Sequence, residues 1–209
     1  FEILYKFIHN KAGLTIMYEI RFHGRGGQGT VVASILLAKA FFNAGYYVQT
    51  FPLFGVERRG APVEAYLRLD KEKILVRSNI YTPDHVVVQD AKLLDRVDVT
   101  AGLKKGGSIL INLKDIPDTM ETFSGFRFAF VDANQIAVNN GLGSRTQPII
   151  NTAMIGAFAR VMEMPHLDMI TGAIENEIHV KTDQNVSAAR QAYDAVTLFG
   201  MLENKCGNP

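Results

Sequence analysis

The residues best suited to chemistry form a glycine-rich segment, His23–Thr30, which reads His-Gly-Arg-Gly-Gly-Gln-Gly-Thr. A short alternating run typical of a β-strand, Tyr18–Phe22, precedes it, and an apolar run typical of a helix, Val31–Phe42, follows it. In such a strand–loop–helix unit, backbone N–H groups at the start of the helix can bind a phosphate. We therefore predict an anion-binding loop made of Gly24, Gly26, Gly27, Gln28, Gly29 and Thr30.

Three of these glycines, Gly24, Gly26 and Gly29, also match the G-x-G-x-x-G spacing of dinucleotide-binding folds. A nicotinamide-binding fold needs an acidic residue about 20 positions later, at the end of the second strand, to bind the ribose hydroxyls. That region is Val48–Phe51, and it contains no carboxylate. The spacing alone is therefore weak evidence for a dinucleotide site, and an NAD-linked dehydrogenase is disfavoured.

A second candidate segment, Phe54–Val63, contains the adjacent arginines Arg58 and Arg59 beside Glu57. Guanidinium groups bind carboxylates and phosphates through paired N–H donors, so this segment could offer a bidentate anion site. A solvated surface loop is the usual alternative for such a pair, because most loops are exposed and polar. We predict Arg58 and Arg59 as anion-binding residues and keep the surface loop as the alternative.

The composition limits the classes of function. The chain has 209 residues, 47% of them hydrophobic, and a formal net charge of +1, so we expect one domain and no binding to nucleic acid or to an anionic membrane. No apolar run approaches the roughly 18 residues that cross a bilayer. The single cysteine, Cys206, excludes a disulfide within the chain and any four-cysteine cluster or zinc site that the chain would hold alone. We expect a reduced, cytoplasmic location.

No catalytic residue and no metal ligand is predicted. The sequence has neither a nucleophile elbow nor a Ser-His-Asp order, so hydrolytic catalysis is not supported. The histidines His23 and His85 flank strand ends and are interpreted as structural residues. Asp132 is interpreted as a helix cap.

The order of the elements predicts an α/β fold, namely a three-layer, mostly parallel Rossmann-like sheet with an inserted β-hairpin and C-terminal helices. The hairpin is predicted from Val63–Leu69 and Ile74–Val76, and a short helix is predicted at 93–99. The remaining strands are expected at 46–51, 85–89, 108–112 and 126–131, and the C-terminal helices at 135–139, 149–162, 167–178 and 184–202. We interpret residues 17–209 as a single domain and residues 1–16 as an N-terminal extension, because Met17 directly precedes the first strand.

Three segments of the sequence resemble the gamma subunit of pyruvate:ferredoxin oxidoreductase, of the 2-oxoacid:acceptor oxidoreductase family. They are Arg21–Thr30, Phe51–Val63 and Pro83–Asp90, and the resemblance extends from Met17 to about Leu202. Long motifs in the correct order are far more specific than the glycine spacing. The residues of the second segment resemble those of family members that act on pyruvate and branched-chain 2-oxoacids more than those of members that act on 2-oxoglutarate.

The resemblance implies a subunit that is inactive alone, within a complex that converts a 2-oxoacid to acyl-CoA and reduces ferredoxin. Thiamine diphosphate and the iron–sulfur clusters would then lie on partner subunits of the alpha, beta and delta types, which agrees with the single cysteine. The resemblance also implies that the glycine loop contributes to coenzyme A binding at a subunit junction. The alternative is a stand-alone nucleotide- or coenzyme A-binding module that regulates another enzyme.

Overall fold

The computed structural model describes residues 17–53, 60–116 and 120–201. Its centre is a seven-stranded sheet, and five α-helices follow or connect the strands. Two short 3-10 turns, Ala91–Leu93 and Met120–Phe123, complete the described elements. The strands are β1 (Tyr18–Arg25), β2 (Tyr47–Leu53), β3 (Pro62–Asp70), β4 (His85–Val88), β5 (Ser108–Asn112), β6 (Arg127–Val131) and β7 (Thr197–Met201). The helices are α1 (Thr30–Asn43), α2 (Ala133–Asn139), α3 (Asn151–Met162), α4 (Leu167–Glu177) and α5 (Thr182–Ala195).

The sheet has a parallel centre and antiparallel flanks, in the order β2-β3-β1-β4-β5-β6-β7. Strands β1, β4, β5 and β6 are parallel, whereas β3 runs antiparallel to both β1 and β2, and β7 runs antiparallel to β6. All residues of β4 and β5 are buried, which explains why these strands read as continuous apolar runs rather than as alternating ones. The predicted α/β fold, with a parallel core and an antiparallel hairpin, is confirmed.

The helices pack on one face of the sheet. Ile20 and Phe22 of β1 point to this face, where they join Leu37 and Phe41 of α1 and the apolar side of α3 in the main core. The opposite face carries a smaller core around Val88, Ile109 and Phe128. Turns from the segment 91–103 and the ring of Phe123 cover that second face, so the third layer of this fold is irregular rather than helical.

Two local predictions in the middle of the chain are wrong. The segment Ile74–Val76 is not a strand, and β3 instead forms its hairpin with β2. The segment 71–82 is mostly exposed and is anchored near its end, where Ile80 is buried and Arg68, only 1% exposed, donates a hydrogen bond to the backbone oxygen of Asn79. The helix predicted at 93–99 is replaced by a 3-10 turn and further turns.

The last helix is shorter than predicted. Helix α5 ends at Ala195, Val196 is extended, and the chain then pairs with β6 as β7. The sequence Val196–Phe199 is rich in β-branched and aromatic residues, which favour a strand once a partner edge is available. By contrast, the predicted Asp132 cap is confirmed, because its carboxylate accepts a hydrogen bond from the N–H of Gln135 at 2.8 Å. The extension predicted at residues 1–16 lies outside the described residues.

Candidate functional site

The glycine loop lies at the point where two neighbouring parallel strands send their connections in opposite directions. From β1 the chain continues through α1 toward β2, whereas from β4 it continues toward β5 on the other side. In open α/β sheets, the carboxyl ends of strands at such a point form the usual crevice for ligands. Here β1 ends in the glycine loop and β4 ends at Gln89 and Asp90.

Three glycines of the loop are required by its conformation. Gly27 has a φ of 95° and Gly29 a φ of 77°, both in the region that residues with a side chain rarely adopt. A Cβ atom on Gly24 would lie 2.0 Å from Thr30 Oγ1, so this position must stay free of a side chain. Gly26 does not have a positive φ.

The start of α1 is open toward the crevice. Its N-cap residue is Gly29, which offers no side-chain cap, and the first turn contains no acidic residue. The backbone N–H groups of Thr30, Val31 and Val32 have no acceptor among the described residues, and the first intrahelical bond is that from Ala33 N–H to Gly29 O. Free N–H groups and the positive end of the helix dipole are the features that bind anions.

The two polar side chains of the predicted loop bond within the protein. Gln28 accepts a hydrogen bond from the N–H of Arg25 at 2.8 Å and donates one to Asp90 Oδ2 at 3.1 Å. The Thr30 hydroxyl donates to Gln89 Oε1 at 2.7 Å and is buried. The side chains of Gln28 and Thr30 therefore shape the loop, and the N–H groups of Gly26 and Gln28 bond to Ala61 O and Arg25 O, whereas the N–H groups of Thr30–Val32 have no acceptor among the described residues.

The charges beside the loop are paired. Arg25 Nε lies 2.9 Å from Asp90 Oδ2, and Asp90 Oδ1 accepts a hydrogen bond from the N–H of Lys92. This pairing compensates the only carboxylate that contacts the described part of the loop. Asp90 would otherwise repel an anion that approached the start of α1.

The second predicted motif meets the glycine loop through the backbone. Gly26 N–H donates to Ala61 O at 2.9 Å, and Gly60 N–H donates to Gly26 O at 3.1 Å. These bonds continue the β1–β3 ladder by one step beyond the pair Arg25–Pro62. Arg58 and Arg59 lie outside the described residues, and in the sequence they directly precede Gly60.

A buried polar group occupies the opposite face of β1 and β3. His23 Nδ1 lies 3.5 Å from Glu64 Oε1, and the Tyr66 hydroxyl donates to Glu64 Oε2 at 2.5 Å. Burial lowers the pKa of His23 to about 4, so its ring is neutral near neutral pH. Burial and the hydrogen bond to Glu64 raise the pKa of Tyr66. This group holds the two strands together and brings no cation to the loop.

One residue at the site, Asn151, does not belong to any predicted motif. It is the first residue of α3, and a Cβ atom on Gly29 would lie 2.9 Å from its Nδ2 atom. The contact joins segments that are far apart in the sequence, so no local pattern reveals it. The sequence marks only the start of the helix that Asn151 begins: Pro148 lies shortly before an apolar helix whose first turn contains no acidic residue.

The described residues contain no group of three His, Cys, Asp or Glu side chains that could hold a metal ion. Within the same residues, no helix is both long enough and apolar enough to cross a bilayer. Cys206 lies outside the described residues.

Comparison with known proteins identifies the family. Residues 19–195 match the family model described as pyruvate ferredoxin/flavodoxin oxidoreductase. The chain is 48% identical to pyruvate synthase subunit PorC of Methanocaldococcus jannaschii over 85% of this chain and 96% of that protein. It is 45% identical to the common subunit gamma of the pyruvate/ketoisovalerate oxidoreductases of Pyrococcus abyssi, over 88% of this chain and 99% of that protein.

The fold agrees with these matches. The crystal structure of pyruvate oxidoreductase subunit PORC from Thermotoga maritima superposes with a TM-score of 0.75 at 35% identity, and the alignment covers 87% of this chain and 98% of that one. The resemblance to the gamma subunit that the sequence motifs predict is thereby confirmed. The chain belongs to the pyruvate ferredoxin/flavodoxin oxidoreductase family.

Proposed function

We propose that this chain is the gamma subunit of a multi-subunit oxidoreductase that acts on pyruvate or a related 2-oxoacid, and that its glycine loop binds the pyrophosphate of coenzyme A at a subunit junction. The complex would decarboxylate the 2-oxoacid oxidatively, transfer the acyl group to coenzyme A and reduce ferredoxin. The observation that carries the coenzyme A assignment is the open start of α1 at the carboxyl end of β1.

The energetics favour an anionic ligand at this place. A negative charge at a helix N-terminus gains about 0.3–1 kcal/mol, and up to about 2 kcal/mol when it is partly buried. Each hydrogen bond to a charged phosphate oxygen adds about 1.5–3 kcal/mol relative to an unmade bond. The N–H groups of Thr30–Val32, which have no acceptor in the described part of the chain, therefore supply three donors for one phosphoryl group.

The redox cofactors belong to other subunits in this proposal. Thiamine diphosphate and the iron–sulfur clusters would lie on partners of the alpha, beta and delta types, which supply decarboxylation and electron transfer. The single cysteine of this chain supports that division, because a cubane cluster needs four thiolates. This chain would contribute coenzyme A binding and subunit assembly.

Arg58 and Arg59 complete the proposed site. They directly precede Gly60, whose N–H binds Gly26 O in the glycine loop. A guanidinium group beside a phosphate site would add bidentate, charge-assisted hydrogen bonds. We assign one arginine to the anion and the other to Glu57 or to another acid.

The decisive experiment compares two alanine variants in the assembled complex. Gly27 (φ 95°) and Gly45 (φ 80°) both have positive φ and open space around a would-be Cβ, but Gly45 lies just beyond the far end of α1. Each variant should lose about 1–2 kcal/mol of stability through backbone strain. Only Gly27→Ala should raise the KM for coenzyme A, by about tenfold, because it also narrows the anion site.

The 2-oxoacid supplies the internal reference. Its KM should stay within about twofold of the wild-type value in both variants, since the proposed site contacts coenzyme A alone. An equal change in the KM for coenzyme A in Gly27→Ala and Gly45→Ala would show that the loop is only a packing element. A chain that never co-purifies with partner subunits would favour the stand-alone module instead.

A further inference from the structure

The segment 71–82, which follows β3, lies at the end of the sheet opposite the glycine loop. Leu69, near the end of β3, pairs with Tyr18, the first residue of β1, whereas the glycine loop follows Arg25, the last residue of β1. The eight residues of β1 separate the two places by about 23 Å. The segment 71–82 is therefore not part of the candidate ligand site.

This segment is held in place at both ends. At its start, Lys71 Nζ lies 3.4 Å from the centroid of the Tyr46 ring. Near its end, Ile80 is buried, and Arg68 donates a hydrogen bond to Asn79 O at 3.1 Å. The residues between these two anchors are therefore presented as a fixed surface.

Residues 73–77, between the anchors, have the sequence of a strand but no strand partner. They read Lys-Ile-Leu-Val-Arg and run without a helix, a turn or a bend. Within the described parts of the chain, no group forms a hydrogen bond with their backbone. Leu75 is 78% exposed and Val76 is 42% exposed. Another chain can add a strand to an exposed, unpaired segment of this kind.

The charges of residues 73–77 indicate which kind of chain fits there. Successive side chains of an extended chain point to opposite sides, so Lys73, Leu75 and Arg77 share one side, and all three are exposed. No carboxylate of the described residues lies within 4 Å of the Lys73 ammonium or the Arg77 guanidinium. This side therefore presents an apolar residue between two cations that lack an ion-pair partner there.

A second copy of this chain does not match that pattern. In an antiparallel pair of copies with two-fold symmetry about Leu75, Lys73 of one copy faces Arg77 of the other. Like charges that are directly opposite destabilise a strand pair, whereas opposite charges stabilise it. The pattern instead favours a different chain, with a carboxylate opposite each cation and an apolar residue opposite Leu75.

We propose that residues 73–77 form a docking strand for another subunit of the oxidoreductase complex. That subunit adds an extended segment in which two acidic residues lie on either side of an apolar one, each two positions away. Backbone hydrogen bonds join the two strands, the partner's carboxylates bind Lys73 and Arg77, and its apolar side chain covers Leu75. This inference rests on the proposed function in one respect, namely that the chain works in a complex with other subunits.

The first test identifies the chain that covers the docking strand. A benzophenone amino acid replaces Leu75 in the assembled complex, and mass spectrometry identifies the peptide that is cross-linked on illumination. The expected peptide belongs to another subunit and has the acidic–apolar–acidic pattern. The control places the same amino acid at Val180, which is 75% exposed, and should not capture this peptide. Cross-links from position 75 that reach only a second copy or this chain itself, or no cross-link at all, would overturn the inference.

The second test measures the dissociation constant between this chain and the remaining subunits. Lys73→Glu combined with Arg77→Glu should raise it about tenfold or more at low salt, because like charges then face each other. Added NaCl should weaken binding of the wild type but strengthen binding of this charge-reversed variant, since salt screens attraction and repulsion alike. The matched control, Lys73→Arg combined with Arg77→Lys, keeps both charges and should bind as the wild type does.

Thermal stability and coenzyme A kinetics separate the outcomes. The substituted side chains are exposed, so the thermal midpoint of the isolated chain should stay at the wild-type value in both variants. If the charge-reversed variant binds the remaining subunits as tightly as the wild type, the docking strand is overturned and the proposed function stands. If it loses binding, while Gly27→Ala leaves the KM for coenzyme A unchanged, the docking strand stands and the coenzyme A assignment fails.

Discussion

At the scale of single residues, two buried histidines make the free energy of unfolding depend on pH. His23 lies in the polar group beside β3, and the ring of His85 stacks on Tyr18 with its Nδ1 at 2.6 Å from Ser108 Oγ. Burial lowers the pKa of His23 to about 4 and that of His85 to about 3. In the unfolded chain both rings titrate near their ordinary value of about 6.5.

These pKa values predict acid sensitivity with a defined direction. Below about pH 6.5 both histidines become protonated in the unfolded chain but stay neutral in the folded chain. The free energy of unfolding therefore falls as the pH decreases toward 4. The loss approaches about 1.4 kcal/mol per pH unit for each histidine, and it is absent above about pH 7. Denaturant unfolding between pH 7.5 and 4.5 measures it.

A variant assigns this slope to a residue. His85→Gln removes one titrating group and keeps an amide that can bond Ser108, so the pH dependence should become shallower. The control His179→Gln changes an exposed histidine and should leave the slope as it is. An unchanged slope in His85→Gln would show that other groups dominate the acid response.

Substitutions of Arg58 and Arg59 can test whether the bidentate geometry of a guanidinium group, rather than its positive charge, is needed for coenzyme A binding. Arg59→Lys, or failing that Arg58→Lys, keeps the positive charge and loses the bidentate donor arrangement. The KM of the complex for coenzyme A should rise about tenfold to a hundredfold, while the KM for the 2-oxoacid stays nearly constant. The control Arg77→Lys alters an exposed arginine of the segment 71–82. Normal coenzyme A kinetics with a complex that dissociates on a sizing column would make this loop an interface element.

At the scale of elements, the contact between α3 and α5 depends on one glycine. A Cβ atom on Gly156 of α3 would lie 2.1 Å from the backbone oxygen of Ala189 in α5, and backbone cannot yield as a flexible side chain does. Helices in such close contact separate when a methyl group enters between them.

Opposite effects are therefore expected from the same substitution in two helices. Gly156→Ala should lower the free energy of unfolding by about 1–3 kcal/mol through overpacking. Gly172→Ala in α4, where a Cβ meets nothing within 4 Å, should raise it by about 0.5–1 kcal/mol through helix propensity. Denaturant midpoints measure both, and a loss of similar size in both variants would refute the packing argument.

The elements also show where sequence patterns suffice. The unit β1–loop–α1 and the Asp132 cap depend on local signals, and both were predictable. Strand β7 was not predictable from local patterns. Its residues could also continue helix α5, and pairing with β6 becomes possible only after the chain has folded back. The segment Ile74–Val76 is apolar and rich in β-branched residues, so it resembles a strand, but it pairs with no other strand, and Leu75 and Val76 are exposed.

The candidate site likewise has a part that local sequence patterns predict and a part that depends on tertiary contacts. The glycine loop between β1 and α1 was predictable because its signals are local, whereas the contact between Gly29 and Asn151 is tertiary. The side chains of Gln28 and Thr30 lie in the predicted loop, and their hydrogen bonds with Asp90 and Gln89 depend on residues that follow the neighbouring strand β4.

At the scale of the whole molecule, the proposed division of labour predicts how a complex behaves without this chain. Partner subunits purified alone should retain their cofactors but should not reach coenzyme A saturation at the concentrations that saturate the full complex. Adding this chain should lower the KM for coenzyme A at least tenfold, as measured by reduction of ferredoxin or a viologen. The isolated chain should show no turnover. Partner subunits that saturate normally on their own would remove coenzyme A binding from this subunit.

The backbone bonds of Gly26 have a consequence for how the chain can diverge. Because Gly26 is paired with Gly60 and Ala61, the two motifs that identify the family form a single physical unit although about thirty positions separate them. The β1–β3 register is continuous up to Arg25–Pro62, and a slip by one residue would turn every side chain of β3 to the other face. Insertions and deletions within β1 or β3 should therefore be poorly tolerated, so that both motifs are inherited or lost together.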